Sequence, residues 1–189
     1  MTTVQITPDR LARYDVPGPR YTSYPTVPFW KAPFGAEEYR EALRDLAGLK
    51  HDPVSVYVHL PFCGYRCHYC GCNVSVTTRS DVVERYLDRV ERELDLVTGI
   101  VGHGRRVLQL HLGGGTPNQL TVEQFGRLVE MLERRFAFAP TAERSVEADP
   151  RLTTREQVEA LRTFGFQRVS YGVQDFDPVV MEAIGRIQP

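Results

Sequence analysis

Four cysteines stand within ten residues, Cys63, Cys67, Cys70 and Cys72, in the segment PFCGYRCHYCGCNV, and the rest of the 189-residue chain contains no other. Disulfides stabilise by closing long loops. Loops this short would gain little and strain the bond, so clustered thiols in a reducing compartment point to metal. Cys63, Cys67 and Cys70 form CxxxCxxC, which gathers three thiolates on one loop. Cys72, one residue past Gly71, points elsewhere if the loop is extended. Three thiolates on a four-iron cube leave one iron open, and an open iron can bind and reduce a small chelating molecule. The alternative is a closed zinc site made of all four cysteines, or of three with His59 or His68, because thiolate and imidazole suit zinc as well as iron.

The elements that must hold this loop are legible on either side of it. Val54 to Leu60, VSVYVHL, alternates with period 2 and reads as a strand delivering the cysteines at its carboxyl end. Asp81 and Glu84 open a long amphipathic helix in which Val83, Tyr86, Leu87, Val90, Leu94 and Val97 recur at helical spacing. Val107 to Leu112 is a second strand running into Gly113, Gly114, Gly115, Thr116 and Pro117. Thr121 with Gln124 then forms a capping box ahead of Phe125, Leu128, Val129 and Leu132. Ser145 to Ala148 is a short third strand, and Thr154 with Gln157 caps a helix carrying Val158, Leu161 and Phe164 and ending at Gly165. Arg168 to Val173 is the fourth strand, and Asp177 with Pro178 is an N-cap and first-turn pair for a last helix. The order βαβαβαβα implies an α/β fold with a parallel sheet, either doubly wound or part of a β/α barrel.

In both architectures ligands collect at the carboxyl ends of the strands. The cysteine loop, the GGGTP turn, Glu147, and Gln174 with Asp175 all fall there. Each has a plainer reading. Three glycines can merely end a strand, although they also let backbone approach a ligand without an intervening Cβ. Glu147 between Val146 and Ala148 is a charge in need of a partner, such as an amino group or ribose hydroxyls. Gln174 reads equally as a structural amide and Arg186 as an exposed helix residue, and His59 and His111 on strands read as hydrogen-bonded core histidines.

The amino-terminal region is different in kind. Pro17, Pro19, Pro25, Pro28 and Pro33 hold Tyr14 to Phe34 out of regular helix, so only Ala36 to Leu49 reads as helical there. Tyr21, Tyr24, Phe29 and Trp30 suit an arm that covers apolar surface or touches substrate. Hydrophobic residues make up 42% and charged residues 25% of the chain, which excludes disorder, collagen and a disulfide scaffold. A formal net charge of -1 gives no general attraction to nucleic acid or an anionic membrane. With no signal-like apolar run at Met1 to Leu11 and no membrane span, a cytoplasmic location is expected.

CxxxCxxC after the first strand, GGGTP after the second and Glu147 after the third resemble the radical S-adenosylmethionine enzymes. More narrowly, PRYTSYPT at Pro19 to Thr26, VYVHLPFC at Val56 to Cys63, CHYCGCN at Cys67 to Asn73, HLGGGTP, VEADP and GVQDF resemble the bacterial oxygen-independent coproporphyrinogen III oxidase family. Cys72 in CGCN and the RYTSYPT segment favour that family over the heme chaperone-like paralogues, which would bind heme without decarboxylating coproporphyrinogen.

The resemblance implies that Cys63, Cys67 and Cys70 bind a 4Fe-4S cluster whose fourth iron is chelated by S-adenosylmethionine. Tyr57, Gly114 and Glu147 would contact that molecule. Gly115, Thr116, Gln174 and Arg186 match positions around a second S-adenosylmethionine, with Arg186 offering its carboxylate a charged partner. Cys72 matches a position tied to catalysis without ligating the cluster, and Tyr69 keeps an aromatic ring where the family commonly has Phe. The implied reaction is removal of a propionate β-hydrogen by a 5′-deoxyadenosyl radical, with loss of carbon dioxide and an electron. Two such events turn coproporphyrinogen III into protoporphyrinogen IX in heme biosynthesis.

The family's proteins are much longer than this chain. The expectation is therefore an amino-terminal fragment, with an arm and helix over 1–50 and the first part of a radical S-adenosylmethionine β/α barrel over 51–189. The barrel remainder and a carboxyl-terminal domain would be absent. Such a piece would keep the cluster chemistry, lack an enclosed substrate cavity and leave the Arg168 to Val173 strand as an apolar edge prone to association. Coproporphyrinogen III and an electron donor of unidentified nature are the expected partners, with no nucleic acid.

Overall fold

Val54 to Leu60 forms the strand its alternation predicts, β1 (Val54–Leu60), and it opens a parallel sheet. The structure, a computed structural model, describes residues 7–15, 29 and 34–188. The prolines and aromatics read as an arm therefore lie outside the described residues, Phe29 excepted, as does the RYTSYPT segment. The chain divides into two units, Met1–Tyr39 and Arg40–Pro189.

The first unit contains a helix that the proline count argued against, α1 (Pro8–Tyr14). Thr7 accepts the Arg10 N–H as N-cap, Pro8 occupies the first turn where its missing N–H costs nothing, and Asp9 and Arg13 complement the helix dipole. The prolines that break helices begin only at position 17. A second helix, α2 (Ala36–Gly48), begins in this unit and ends one residue short of expectation. Within the second unit its last turn is held by the Arg105 guanidinium, which donates to the carbonyls of Leu46 and Leu49.

After β1 come two short strands, β2 (Phe62–Cys63) and β3 (Ser75–Val76), then α3 (Ser80–Val101), β4 (Arg105–Gly114), a 3₁₀ turn at Pro117–Gln119 and α4 (Val122–Glu133). The chain continues through β5 (Phe136–Ala148), α5 (Arg155–Thr163), β6 (Arg168–Tyr171) and α6 (Pro178–Ala183). Strands β1, β4, β5 and β6 lie side by side in that order, all parallel. The order never reverses, as in a β/α barrel and unlike a doubly wound sheet.

One face of the sheet is apolar. Val58, Leu60, Leu110, Leu112 and Val146 pack with Val83, Leu87, Val90 and Leu94 of α3 and with Phe125, Leu128, Val129 and Leu132 of α4. Each side chain so buried is worth about 1.5–3 kcal/mol. The alternate positions Tyr57, His59, Gln109, His111, Ser145 and Glu147 form a polar second face, because neighbours along a strand point to opposite sides.

Three sequence expectations need correction. β5 is much longer than Ser145 to Ala148 and starts at Phe136. Its pairing with β4 jumps between Val107 and Gln109, and that irregularity absorbs Pro140, which had masked the strand. β6 ends at Tyr171, two residues before Val173, where the chain turns away towards Gln174 with φ 71°. α3 is not opened by Asp81 and Glu84 as caps. It starts at Ser80 with Arg79 as N-cap and no side-chain cap, while Asp81 bonds Arg79 and Arg85. The boxes at Thr121–Gln124 and Thr154–Gln157 are both formed.

Candidate metal and cofactor site

The cysteine loop is tied at both ends. β2 pairs with β3 in parallel, the Ser75 N–H donates to the Pro61 carbonyl at 2.7 Å and the Thr77 N–H to the Cys63 carbonyl at 2.8 Å. The glycine turn packs beneath it, with the Gly115 N–H donating to Leu60 and the Thr116 N–H to Phe62. Gly115 has to lack a side chain, since a Cβ there would sit 2.7 Å from the Pro61 carbonyl oxygen and 2.8 Å from that of Phe62. The far side of the loop is clipped to the chain's last turn. The His68 N–H donates to Ile184, its Nδ1–H to the Ala183 carbonyl at 3.1 Å, and its ring lies over Gly185.

These ties enclose a cavity of about 520 Å³ at the carboxyl ends of the strands. Cys63, Cys67, Cys70, Cys72, Gly114, Gly115, Thr116, Glu147, Gln174 and Arg186 all line it. Tyr57 does not, but it is hydrogen-bonded to His59 and stacked on His111; Asp175 and the alternative ligands His59 and His68 also lie outside the lining. Cys72 does not point elsewhere. The loop is not extended but folds through a turn in which the Cys70 N–H donates to Cys67, and this brings the Cys72 thiol against Cys70. Nor is Arg186 an ordinary exposed helix residue: it lies beyond α6 and is only 7% exposed.

Charge is concentrated at the cavity floor. Asp149, 5% exposed, lies between two guanidinium groups, receiving Arg151 on both carboxylate oxygens and standing 3.2 Å from Arg186 Nη1. Arg186 Nη1 also points at Cys67 Sγ, 3.6 Å away, and Nη2 donates to the Gly172 carbonyl. Arg186 Nε is buried with no acceptor. Two cations against one carboxylate leave positive charge at the floor, which suits an anionic ligand. Burial pushes the Cys63 thiol up against a partial offset from the Thr116 hydroxyl, 3.3 Å away. Burial likewise raises Cys72, helped by the neighbouring Cys70.

The site's second wall is a hydrogen-bonded row on the polar face of the sheet. His59 accepts from the Tyr57 hydroxyl at Nδ1 and donates from Nε2 to the Asn73 carbonyl, so both ring nitrogens are engaged and neither is left to ligate zinc. Glu147 Oε2 accepts the Gly114 N–H at 3.2 Å, in a turn where Gly114 holds φ 124°. Sequence reasoning passed over three residues here. Asp149 reads from sequence only as part of the VEADP segment, Arg151 carries no local signal, and His111 reads as core, although its alternation with Gly113 already puts it on the Glu147 side of the sheet.

The donor set fits an iron–sulfur cluster and a chelating amino acid. Four soft thiols share one cavity, a Cβ-free cradle lies under their loop, and Arg186, which lines the same cavity, keeps a buried Nε–H without an acceptor. Among the described residues no three His, Cys, Asp or Glu side chains converge on a point as a single ion requires.

Comparison with known proteins agrees with this geometry. The chain is 40% identical over 187 residues to the oxygen-independent coproporphyrinogen III oxidase of Synechocystis, covering 99% of this chain and 40% of that one. It is 41% identical to the Escherichia coli protein of the same name, covering 94% and 38%. The solved structure of Escherichia coli coproporphyrinogen III oxidase, described as a radical SAM enzyme, superposes with TM-score 0.80 at 40% identity over 95% of this chain and 39% of that one. The chain thus spans about 40% of the length of the relatives it matches. A sequence model of the radical SAM superfamily matches residues 57–189, from the strand that delivers the cysteines to beyond the buried Arg186, and this chain belongs to that superfamily.

Proposed function

We propose that this chain serves the oxygen-independent oxidation of coproporphyrinogen III, in which two propionates become vinyl groups and protoporphyrinogen IX results. The observation that carries the reading is the meeting of CxxxCxxC, the glycine turn, Glu147 and Arg186 around one cavity, in a chain about 40% identical to proteins named for that reaction. Cys63, Cys67 and Cys70 would hold a 4Fe-4S cluster, and Tyr57, Gly114 and Glu147 a molecule of S-adenosylmethionine. When bound, this pair supplies one-electron cleavage of the sulfonium and a carbon radical able to take a hydrogen atom.

The chain's own residues bind, orient and exclude water. Thr116 holds Cys63 and Arg186 holds Cys67, so two of the three thiols are fixed before any metal arrives. Glu147, pinned by the Gly114 N–H, offers a carboxylate to the donor groups of S-adenosylmethionine. The free Nε–H of Arg186 suits a carboxylate, and with Gly115, Thr116 and Gln174 it is the place for a second molecule of S-adenosylmethionine. Tyr65, Tyr69 and Tyr171 stand at the cavity wall, where they limit water around a reactive radical. Cys72, against Cys70 and near Glu147, is assigned to the chemistry and not to the cluster. Residues 51–189 are the first part of the β/α barrel, the site of action is the cytoplasm, and an electron donor acts on the cluster. Among the described residues no helix is long and apolar enough to cross a membrane.

The test is anaerobic reconstitution with iron and sulfide, then incubation with a reductant, S-adenosylmethionine and coproporphyrinogen III deuterated at the propionate β-carbons. 5′-Deoxyadenosine is expected, and deuterium within it would show that this chain itself engages the substrate. An iron-loaded protein that yields no 5′-deoxyadenosine contradicts the reading.

A further inference from the structure

His111 sits where nothing in the assigned chemistry requires a histidine. It lies on the polar face of β4, paired in register with Tyr57 of β1 and Ser145 of β5. The Tyr57 ring stacks on it at 5.8 Å with an 18° interplanar angle. Its Nδ1 is 2.8 Å from Ser145 Oγ and its Nε2 is 3.2 Å from Glu147 Oε1. The other Glu147 oxygen takes the Gly114 N–H. Both oxygens of the carboxylate are therefore held, from two directions, by groups on the neighbouring strand.

The placement of protons follows from the partners. A carboxylate oxygen only accepts, so His111 Nε2 carries a hydrogen. The Ser145 hydroxyl has two acceptors in reach, His111 Nδ1 and the Leu110 carbonyl at 3.3 Å. If it donates to Nδ1 the ring is the neutral Nε2–H tautomer. If it donates to Leu110 the ring is the imidazolium, with Nδ1–H donating to Oγ. Nε2–H faces Glu147 in both states. Packing adds a second hold, because a Cβ on Gly113 would lie 3.0 Å from the Tyr57 ring, 3.1 Å from His111 Nε2 and 3.1 Å from Glu147 Oε2. Tyr57, His111 and Glu147 close over a position that only glycine leaves empty.

We propose that His111 is the positioning residue for Glu147, its Nε2–H fixing the carboxylate in the orientation that receives the hydrogen-bond donors of S-adenosylmethionine. This rests on the reading of Glu147 as an S-adenosylmethionine contact. At metal sites, removing an outer partner that orients a ligating group typically costs about 10- to 100-fold in affinity or activity, and an effect at the lower end of that range is expected for this carboxylate.

The test is the dissociation constant of S-adenosylmethionine on iron-loaded protein, by equilibrium dialysis, for wild type, Glu147→Gln, His111→Gln, His111→Asn and the Glu147→Gln/His111→Asn double variant. Thermal unfolding is followed in parallel. A Gln amide reaches the position of Nε2 and an Asn amide only that of Nδ1. His111→Asn is expected to weaken binding roughly tenfold and His111→Gln to restore it, with the two variants equally stable and no further loss in the double variant. Glu147→Gln weakening binding while both His111 variants match wild type would overturn the role of His111. Unchanged binding in Glu147→Gln would instead overturn the reading of Glu147, and this inference with it. Equal weakening by Gln and Asn, or full additivity in the double variant, would assign His111 a merely structural part.

Discussion

Along the seam between α3 and α4, polar groups have met their partners. Arg127 bonds Glu84 and Asp88, Arg135 bonds Asp95 and Glu91, and Gln124 bonds both Ser80 and Glu84, all above a layer of fully buried Leu and Phe. At the carboxyl ends of the strands the situation is reversed. There the structure keeps an open cavity, an Arg186 Nε with no acceptor, a Gln174 at φ 71° and thiols unpaired with one another. At the cavity a left-handed Gln174 and the unmet Arg186 Nε stand beside open space, whereas the seam's charged groups are paired with one another. The two regions share β4, so the same strand is apolar and rigid on one face and chemical on the other.

This contrast is open to direct attack. The largest effect is expected at the rim: Cys70→Ala abolishes iron uptake from roughly four irons per chain while thermal unfolding of the metal-free protein is unchanged. Leu128→Ala, at a fully buried position of α4, should cost about 2–5 kcal/mol in denaturant unfolding without altering iron stoichiometry in the folded fraction. A Leu128 variant that folds normally but loses iron would break the division between regions. Gly115→Ala crosses it on purpose, since its Cβ collides with the backbone carrying the cysteines. It should cost about 1–3 kcal/mol and also impair cluster assembly. Thr121→Ala removes one capping box from α4, for a loss of about 1 kcal/mol.

The smallest effect is electrostatic. Hydrogen bonds from Arg79 and Arg85 hold the Asp81 carboxyl down at about 2. That is below the roughly 3.9 of an unfolded Asp, so its contribution is complete above that value and is lost as pH falls towards 2. Asp81→Asn should flatten the stability–pH profile only between about pH 4 and 2.

How far the sequence could be read follows the same division. Local patterns carry β1, the apolar stripes of α3 and α4, both capping boxes and the cysteine loop, because spacing along one segment determines each of them, whereas Gln174 and Arg186 are assigned to the site only through the family resemblance. What needed partners far along the chain did not show. Asp149 is meaningful only once Arg186, remote in sequence, has folded back upon it, and His111 only once β5 lies beside β4. Strands β2 and β3 are two residues each, too short for any period. The opposite error was made at α1, where a proline-rich neighbourhood hid the plain Thr7–Pro8 start of a helix.

Cys63, Cys67 and Cys70 are proposed to hold a cluster with an iron left open to S-adenosylmethionine. The most direct measurement is the iron and sulfide content of the anaerobically reconstituted protein, with the electron paramagnetic resonance spectrum of its reduced form before and after adding S-adenosylmethionine. Roughly four irons per chain and a spectrum that changes on addition are predicted. About one tightly held zinc and no iron would contradict the claim.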